Sequence, residues 1–347
     1  MMQLKWISTL LCLVFLGTCQ KNPVAPSGPG ARTYVWTVDT LASPYNELRN
    51  LWGASPDDVW AVGPYGITKA NLWHYNGTEW TPYIPSLIGW RGDALYGFSR
   101  NNVWMGGEIG VDLGRAGLLH YDGTHWYPRY SLEPDSAVMA RVNSIHGIAP
   151  DDVYACGVIG YNIVGESTYR GFILHYDGTQ WSEVHRTTGE AQFLEVLQTK
   201  QHVFIHAIED WYTNTFYELR GTQLEVIDAR TVPGTMNLIG DVVVFTFRHQ
   251  TYYYSQGSLQ EWRRFAPENF GYQVWGRDAE DVFLRMFDGV AHYNGIDIEY
   301  LYHAPAGTDA PVGEPMIFER EVFFPMHDYA LAPENRNMVL HGVTVNE

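Results

Sequence analysis

From residue 34 onward the chain alternates short apolar or aromatic runs with clusters of Gly, Pro, Asp and Asn. Runs such as Val59-Trp60-Ala61-Val62 and Val282-Phe283-Leu284 are apolar at every position, as a strand covered on both faces requires. No segment shows the three-four spacing of a long amphipathic helix. The runs therefore read as β-strands, and the turn residues between them set how they connect.

Two elements recur. The first is His74-Tyr75-Asn76-Gly77-Thr78-Glu79-Trp80, repeated as His120-Tyr121-Asp122-Gly123-Thr124-His125-Trp126 and as His175-Tyr176-Asp177-Gly178-Thr179-Gln180-Trp181. Asn-Gly or Asp-Gly between aromatic runs predicts a tight antiparallel hairpin with a type I′ turn, in which both central residues take φ > 0. The second lies upstream and runs from Leu51-Trp52-Gly53 through Ser55-Pro56-Asp57-Asp58 to Val59-Trp60-Ala61-Val62-Gly63. It returns at 95–106 and 145–157, and its Pro-Asp-Asp step is a turn signal. One unit is thus strand, short turn, strand, longer loop, strand, Asp-Gly turn, strand.

The turn glycines Gly77, Gly123, Gly178, Gly221, Gly257, Gly295 and Gly342 mark successive units at intervals of 36 to 55 residues. Four strands per unit at such a period predict an all-β, seven-bladed β-propeller of four-stranded antiparallel blades, with six or eight blades the neighbouring counts. A four-stranded sheet with two apolar faces cannot cover both alone, whereas radial packing lets each blade cover the next. Units one to three and six are plain; four and five keep the strand rhythm but lose the Trp-Gly and Asp-Asp signatures. The seventh supplies three clear strands, at Met316-Ile317-Phe318, Val322-Phe323-Phe324 and Met338-Val339-Leu340. Tyr34-Val35-Trp36-Thr37-Val38 is favoured as its missing fourth strand. The alternative is Val343-Thr344-Val345 folding back at Gly342.

Composition narrows the function. Aromatic residues make up 15% and charged residues 18%, which suits many covered strands. A net charge of −17 argues against nucleic-acid binding and against adsorption to an anionic membrane through basic patches. Of the three cysteines only Cys156 lies in the repeat region, so no intrachain disulfide framework is expected. It replaces an apolar strand residue and reads as a small buried thiol.

At the N-terminus, Lys5 and the apolar run from Trp6 to Leu16 read as an export signal, too short for a membrane span. Leu16-Gly17-Thr18-Cys19 resembles the lipobox of bacterial lipoproteins, which implies a signal peptide over 1–18 and lipidation of Cys19. Gln20 after the Cys implies, by the same likeness, the outer membrane or cell surface. Residues 19–33, Pro- and Gly-rich beyond the Cys, read as a tether ahead of a propeller domain spanning 34–347.

The repeated Trp-Gly-X-Ser-Pro-Asp-Asp-Val-Trp-Ala-Val-Gly and Leu-X-His-Tyr-Asp-Gly-Thr-X-Trp patterns resemble those of secreted bacterial propeller lipoproteins, a group similar to the Asp-box and kelch propellers. The likeness implies the fold and carries no catalytic residue over. The hairpin is one residue shorter than an Asp box, and no recurrent Arg cluster of the sialidase kind is present.

The recurrent His74, His120, His175 and His292 could in principle bind metal. They fall on different blades and so read as structural, and no metal or cofactor is expected. Asp57-Asp58 and Asp151-Asp152 read as turn residues bonding backbone amides. The strand tryptophans (52, 60, 80, 104, 126, 181, 275) read as packing between blades. The rim carrying the second-to-third loops and the interblade links varies in length and content, and function on rigid scaffolds concentrates in such loops. Its candidate binding residues are Tyr65, Arg115, Tyr161, Tyr169, Arg170, Trp211 and Tyr212, a mixture suited to sugar stacking or a protein hot spot. The expected function is a lipid-anchored envelope module that binds a protein partner or a glycan. The alternative is a propeller-type glycoside hydrolase or polysaccharide lyase, drawing on Glu108, Asp112, Glu166, Glu209 or Asp210.

Overall fold

In a computed structural model, residues 30–41, 48–63, 72–83, 89–110, 113–163, 166–309, 313–328 and 336–345 are described. Every regular element among them is a β-strand. Six sheets form. Four are four-stranded, one is eight-stranded, and one takes strands from both ends of the chain. The eight-stranded sheet divides in two at a single parallel bridge, Ile239 to Gly276. The seven resulting blades are antiparallel and span 50–83, 90–132, 137–186, 192–230, 234–264, 270–303 and, for the last, 308–344 with a strand from the N-terminus.

The core explains the ring. The buried apolar residues fall into seven clusters, and each lies between two successive blades. Trp52, Trp60 and Val62 of blade one meet Leu95, Val103 and Trp126 of blade two. The series continues around the molecule until Phe323 and Val339 of blade seven meet Leu51, Val59 and Ala61 of blade one. No blade could bury both faces alone. Opening the circle at any junction would uncover one cluster, at ~1.5–3 kcal/mol for each large side chain exposed. Cys156 sits fully buried in the cluster between blades three and four, where burial pushes its thiol well up.

Closure uses the chain's beginning. Tyr34–Leu41 pairs antiparallel with Arg336–Thr344, as the outermost strand of blade seven. Gly342 therefore lies in mid-strand, facing Trp36 on one side and Val322 on the other, and turns nothing. The inner strand of this blade is made in two pieces, Thr308–Asp309 and Met316–Ile317, both paired to Glu321–Asp328.

The repeated motifs have a local physical logic. In each hairpin Asn76, Asp122 and Asp177 accept, through one side-chain oxygen, two backbone N–H groups and the threonine hydroxyl at 2.6–3.0 Å. These bonds hold the Asp177 carboxyl down at about 2, the Thr179 hydroxyl contributing most. Only the glycine takes positive φ (91°, 95° and 89°), so the connection is a side-chain-capped four-residue loop and not the expected type I′ turn. The capping oxygen does locally what the second left-handed residue would otherwise do.

The recurrent histidines are structural. His74 Nε2 lies 2.6 Å from Asp58, His120 2.9 Å from Asn102, His175 2.8 Å from Asp152 and His292 2.7 Å from Asp281. Each ring also rests against the aromatic residue across the strand pair, with Trp60–His74 centroids at 4.2 Å and Trp104–His120 at 4.4 Å. The second Asp of the turn thus holds a histidine on its own blade, where a backbone amide was expected. In blade four the partners are exchanged, with His202 in the acid's place bonding Glu218 at 2.5 Å. Second-strand and fourth-strand tryptophans of successive blades meet edge-on, Trp60 with Trp126 at 5.5 Å and Trp104 with Trp181 at 5.2 Å.

Candidate functional site

Inner strands begin at the variable rim and run along the central channel, so a polar residue on one of them faces the axis. Asn50, Asp93, Ser144, Glu195, Thr235 and Gln273, from six different blades, line one cavity of about 710 Å³. Glu314, in the link ahead of the last inner segment, joins them; it bridges to Asn50, and its N–H donates to the Arg49 carbonyl at 3.2 Å.

Charge is distributed unevenly in this cavity. Arg49 Nη1 lies 2.9 Å from Asp93, and Arg141 acts on the same carboxylate. Burial pushes Asp93 up in spite of both. Glu195 and Glu314 line the same cavity, with no ion pair to either among the described residues. Burial pushes Glu195 well up, and the charge of Glu314 adds to the effect; a Met236 backbone N–H bonds it in opposition. Burial brings Glu314 up to about 7, against the pull of the Trp275 indole N–H. Asn237 Nδ2 donates to Glu314 Oε1 at 3.4 Å. Both glutamates keep part of their surface open to the channel while protein encloses the rest.

The mouth is aromatic. The blade-four connection between Val203–Glu209 and Thr213–Arg220 is only three residues long. Asp210 and Trp211 take φ of 47° and 64°, and the Tyr212 N–H donates to the Glu209 carbonyl at 3.1 Å. Left-handed backbone at a bulky residue is costly, and such strain concentrates at functional sites. The turn places Trp211 and Tyr212 over the cavity, 53% and 77% exposed. Tyr169 of blade three meets the Trp211 ring edge-on at 5.1 Å, and Arg170 Nη1 donates to the Tyr169 carbonyl at 3.3 Å.

Of the residues singled out from sequence, Tyr169, Trp211 and Tyr212 come together here, while Arg170 bonds the carbonyl of its neighbour Tyr169. Arg115 does not join them: it is exposed on blade two, 3.4 Å from Glu133. Tyr161 packs against the core between blades two and three. Tyr65 and Cys19 lie outside the described residues. Among the loop acids, Glu108 is held by Arg91 at 3.1 Å, and Glu209 accepts bonds from the hydroxyls of Thr215 and Tyr217. Asp112, and the side chain of Glu166, also lie outside the described residues. The acids that do converge, Asp93, Glu195 and Glu314, were not singled out. Their one sequence signal is a carboxylate interrupting an apolar inner strand, as in Phe193-Leu194-Glu195-Val196-Leu197.

A second cavity of about 550 Å³ opens on the opposite, short-turn rim, lined by Tyr96, His146, Lys200, His202 and Tyr254 among others. Among the described residues no three His, Cys, Asp or Glu side chains are grouped to hold a metal ion.

No protein-family model and no curated protein matches this chain. Solved structures do resemble it. A structure of YCF48 bound to a D1 peptide superposes with a TM-score of 0.62 at 14% identity, covering 92% of this chain and 100% of that one. The WD40 propeller domain of Doa1 gives 0.55 at 11% identity, over 88% and 96%. A protein of unknown function from Dyadobacter fermentans gives 0.51 at 10% identity, over 91% and 100%. Likeness at these identities establishes the class: the chain is a β-propeller.

Proposed function

We propose that this chain is a binding or scaffold module that engages a protein partner through the variable rim, at the mouth of the central channel. One observation carries the reading: Trp211 and Tyr212 stand exposed on a strained turn directly over a polar cavity. Exposed aromatics that cover no core of their own are the residue types that anchor protein interfaces. The propeller frame holds the turn rigidly, which lowers the ordering loss on association. That YCF48 was captured with a peptide supports a peptide or protein partner over other ligands. A glycan stacked on the same rings is the finer alternative. Export and anchoring through a lipidated Cys19 belong to the same proposal and would place the rim within the cell envelope.

Capture from envelope extracts by the wild-type chain, set against the Trp211→Ala/Tyr212→Ala variant, tests the reading. A specific partner lost at least tenfold in the variant supports it; equal capture by both overturns it.

The runner-up, a carbohydrate-active enzyme, draws on the paired carboxylates Glu195 and Glu314, since a glutamate raised to about 7 suits a general acid. Turnover of a polysaccharide that vanishes in Glu195→Gln and Glu314→Gln would establish it in place of the binding module.

A further inference from the structure

We propose that the channel receives a cationic group, the guanidinium or ammonium of an Arg or Lys side chain presented by the partner, between Glu195 and Glu314. This rests on the binding-module reading and names what the partner must carry. Charge within the cavity points to it first. Of its two arginines, Arg49 pairs with Asp93 at 2.9 Å, and Arg141 acts on the same carboxylate through its charge. That leaves Glu195 and Glu314, in the same cavity, with no ion pair among the described residues. His206, which also lines the cavity, is kept neutral by burial and lies against Asn214 Oδ1 at 2.9 Å.

A second observation is independent of the acids. Asn237 is 2% exposed, and its amide reaches across from blade five to donate to Glu314. Its Oδ1 is left buried beside Glu314 with no partner among the described residues. A buried acceptor without a donor is costly and calls for explanation. The two carboxylates and the Asn237 oxygen beside them hold more acceptor sites than the donors reaching them, the Asn237 amide, the Met236 N–H and the Trp275 indole, can fill. An anion would be repelled, and a neutral hydroxyl would satisfy one acceptor at a time. An ammonium or a guanidinium brings several donors and the compensating charge together. The approach is suited as well, since Trp211 and Tyr212 line the entrance with aromatic faces that attract cations. Without such a guest the pair lowers its mutual repulsion by holding a proton, which agrees with the upward displacement of both acids. On binding, that proton passes to solvent.

Titration calorimetry on the full chain tests this with N-acetyl-arginine amide, its uncharged isostere N-acetyl-citrulline amide, and calcium chloride as an inorganic cation. The arginine amide should bind, with the citrulline amide at least tenfold weaker. Asp93, Arg49, Arg141 and His206 are the other ionisable groups facing the pair. Glu314, at about 7, must give up its proton for the guest. Affinity should therefore be about tenfold weaker at pH 6 than at pH 8. Glu195→Gln and Glu314→Gln should each abolish binding while leaving the melting temperature unchanged or higher, because each removes a repulsion. Equal binding of the citrulline amide, binding of calcium in place of the arginine amide, or unchanged binding in both Gln variants would overturn the proposal. Partner capture is scored separately. Capture that depends on Trp211 and Tyr212, without arginine-amide binding, sinks the cation claim alone. Arginine-amide binding with equal capture by the wild type and the aromatic variant sinks the rim reading.

Discussion

Trp36, on the first strand of the chain, lies opposite Gly342 on the last, in the position where Trp80 faces Tyr75, Trp126 faces Tyr121 and Trp181 faces Tyr176. The seventh blade thus obtains its repeat tryptophan from the far end of the chain. Gly342 replaces the usual tyrosine because Trp36 occupies the space. A Cβ there would stand 2.4 Å from the Trp36 ring. Gly342→Val should therefore destabilise the protein by ~1–3 kcal/mol through overpacking. In guanidinium unfolding, Trp36→Ala in the same chain should relieve part of that loss, so that the two changes are less than additive. Full additivity would mean that the two residues do not meet.

The histidine–acid pairs predict a graded response to mutation. Asp281 is buried and bonds both His292, at 2.7 Å, and the Arg277 guanidinium. Burial alone would raise its carboxyl, yet the hydrogen bonds from His292 and the Arg277 guanidinium hold it low. Asp281→Ala leaves Arg277 and His292 without their anion and should cost ~3–5 kcal/mol in chemical unfolding. Asp57, the first acid of the blade-one turn, is exposed and among the described residues bonds Ser55 and Arg100. Its removal should leave the melting temperature unchanged.

Two other histidines set the pH response. Burial lowers His146 and His206 to about 4, from an ordinary value of 6.5. The folded state resists protonating them, whereas the unfolded chain protonates them readily. Their stabilising contribution is complete above pH 6.5 and is lost as pH falls toward 4. A displacement of this size corresponds to ~3 kcal/mol for each group. In urea unfolding from pH 7 to pH 5 the wild type should lose stability relative to His146→Gln/His206→Gln, the raised acids Glu195 and Glu314 acting in the opposite sense in both chains. Parallel profiles for the two chains would contradict the burial of these rings.

Trp211 should show opposed effects on stability and binding. Its left-handed backbone is one that glycine adopts freely. Trp211→Gly is expected to raise stability by ~1 kcal/mol while abolishing partner capture. Thermal unfolding and capture measured on the same preparation check both halves.

The frame was legible because its signals repeat. Trp-Gly, Asp-Asp-Val and His-Tyr-Asp-Gly each mark a fixed place in a blade, and the isolated strand around Trp36 had no other role to fill. Blade four was less legible because His202 and Glu218 exchange the places of acid and histidine, which breaks the motif and keeps the bond. The turn type was misjudged because the Asp side chain caps the loop itself. The channel acids were missed for a geometric reason. Asp93 and Glu195 are each the one acid on an inner strand, and only ring closure shows that the seven inner strands share one axis. Trp211 and Tyr212 were readable because a loop that short has no core for two large rings to enter.

Site-specific photo-crosslinking tests the central claim most directly. A benzoylphenylalanine replacing Tyr212 reports on the channel mouth, and one replacing the exposed Gln201 reports on the short-turn rim. In envelope extracts, position 212 should yield a discrete adduct with one protein, competed by excess unlabelled chain, and position 201 should yield none. An adduct from 201 with nothing from 212 would place the partner on the wrong rim and contradict the assignment of the mouth.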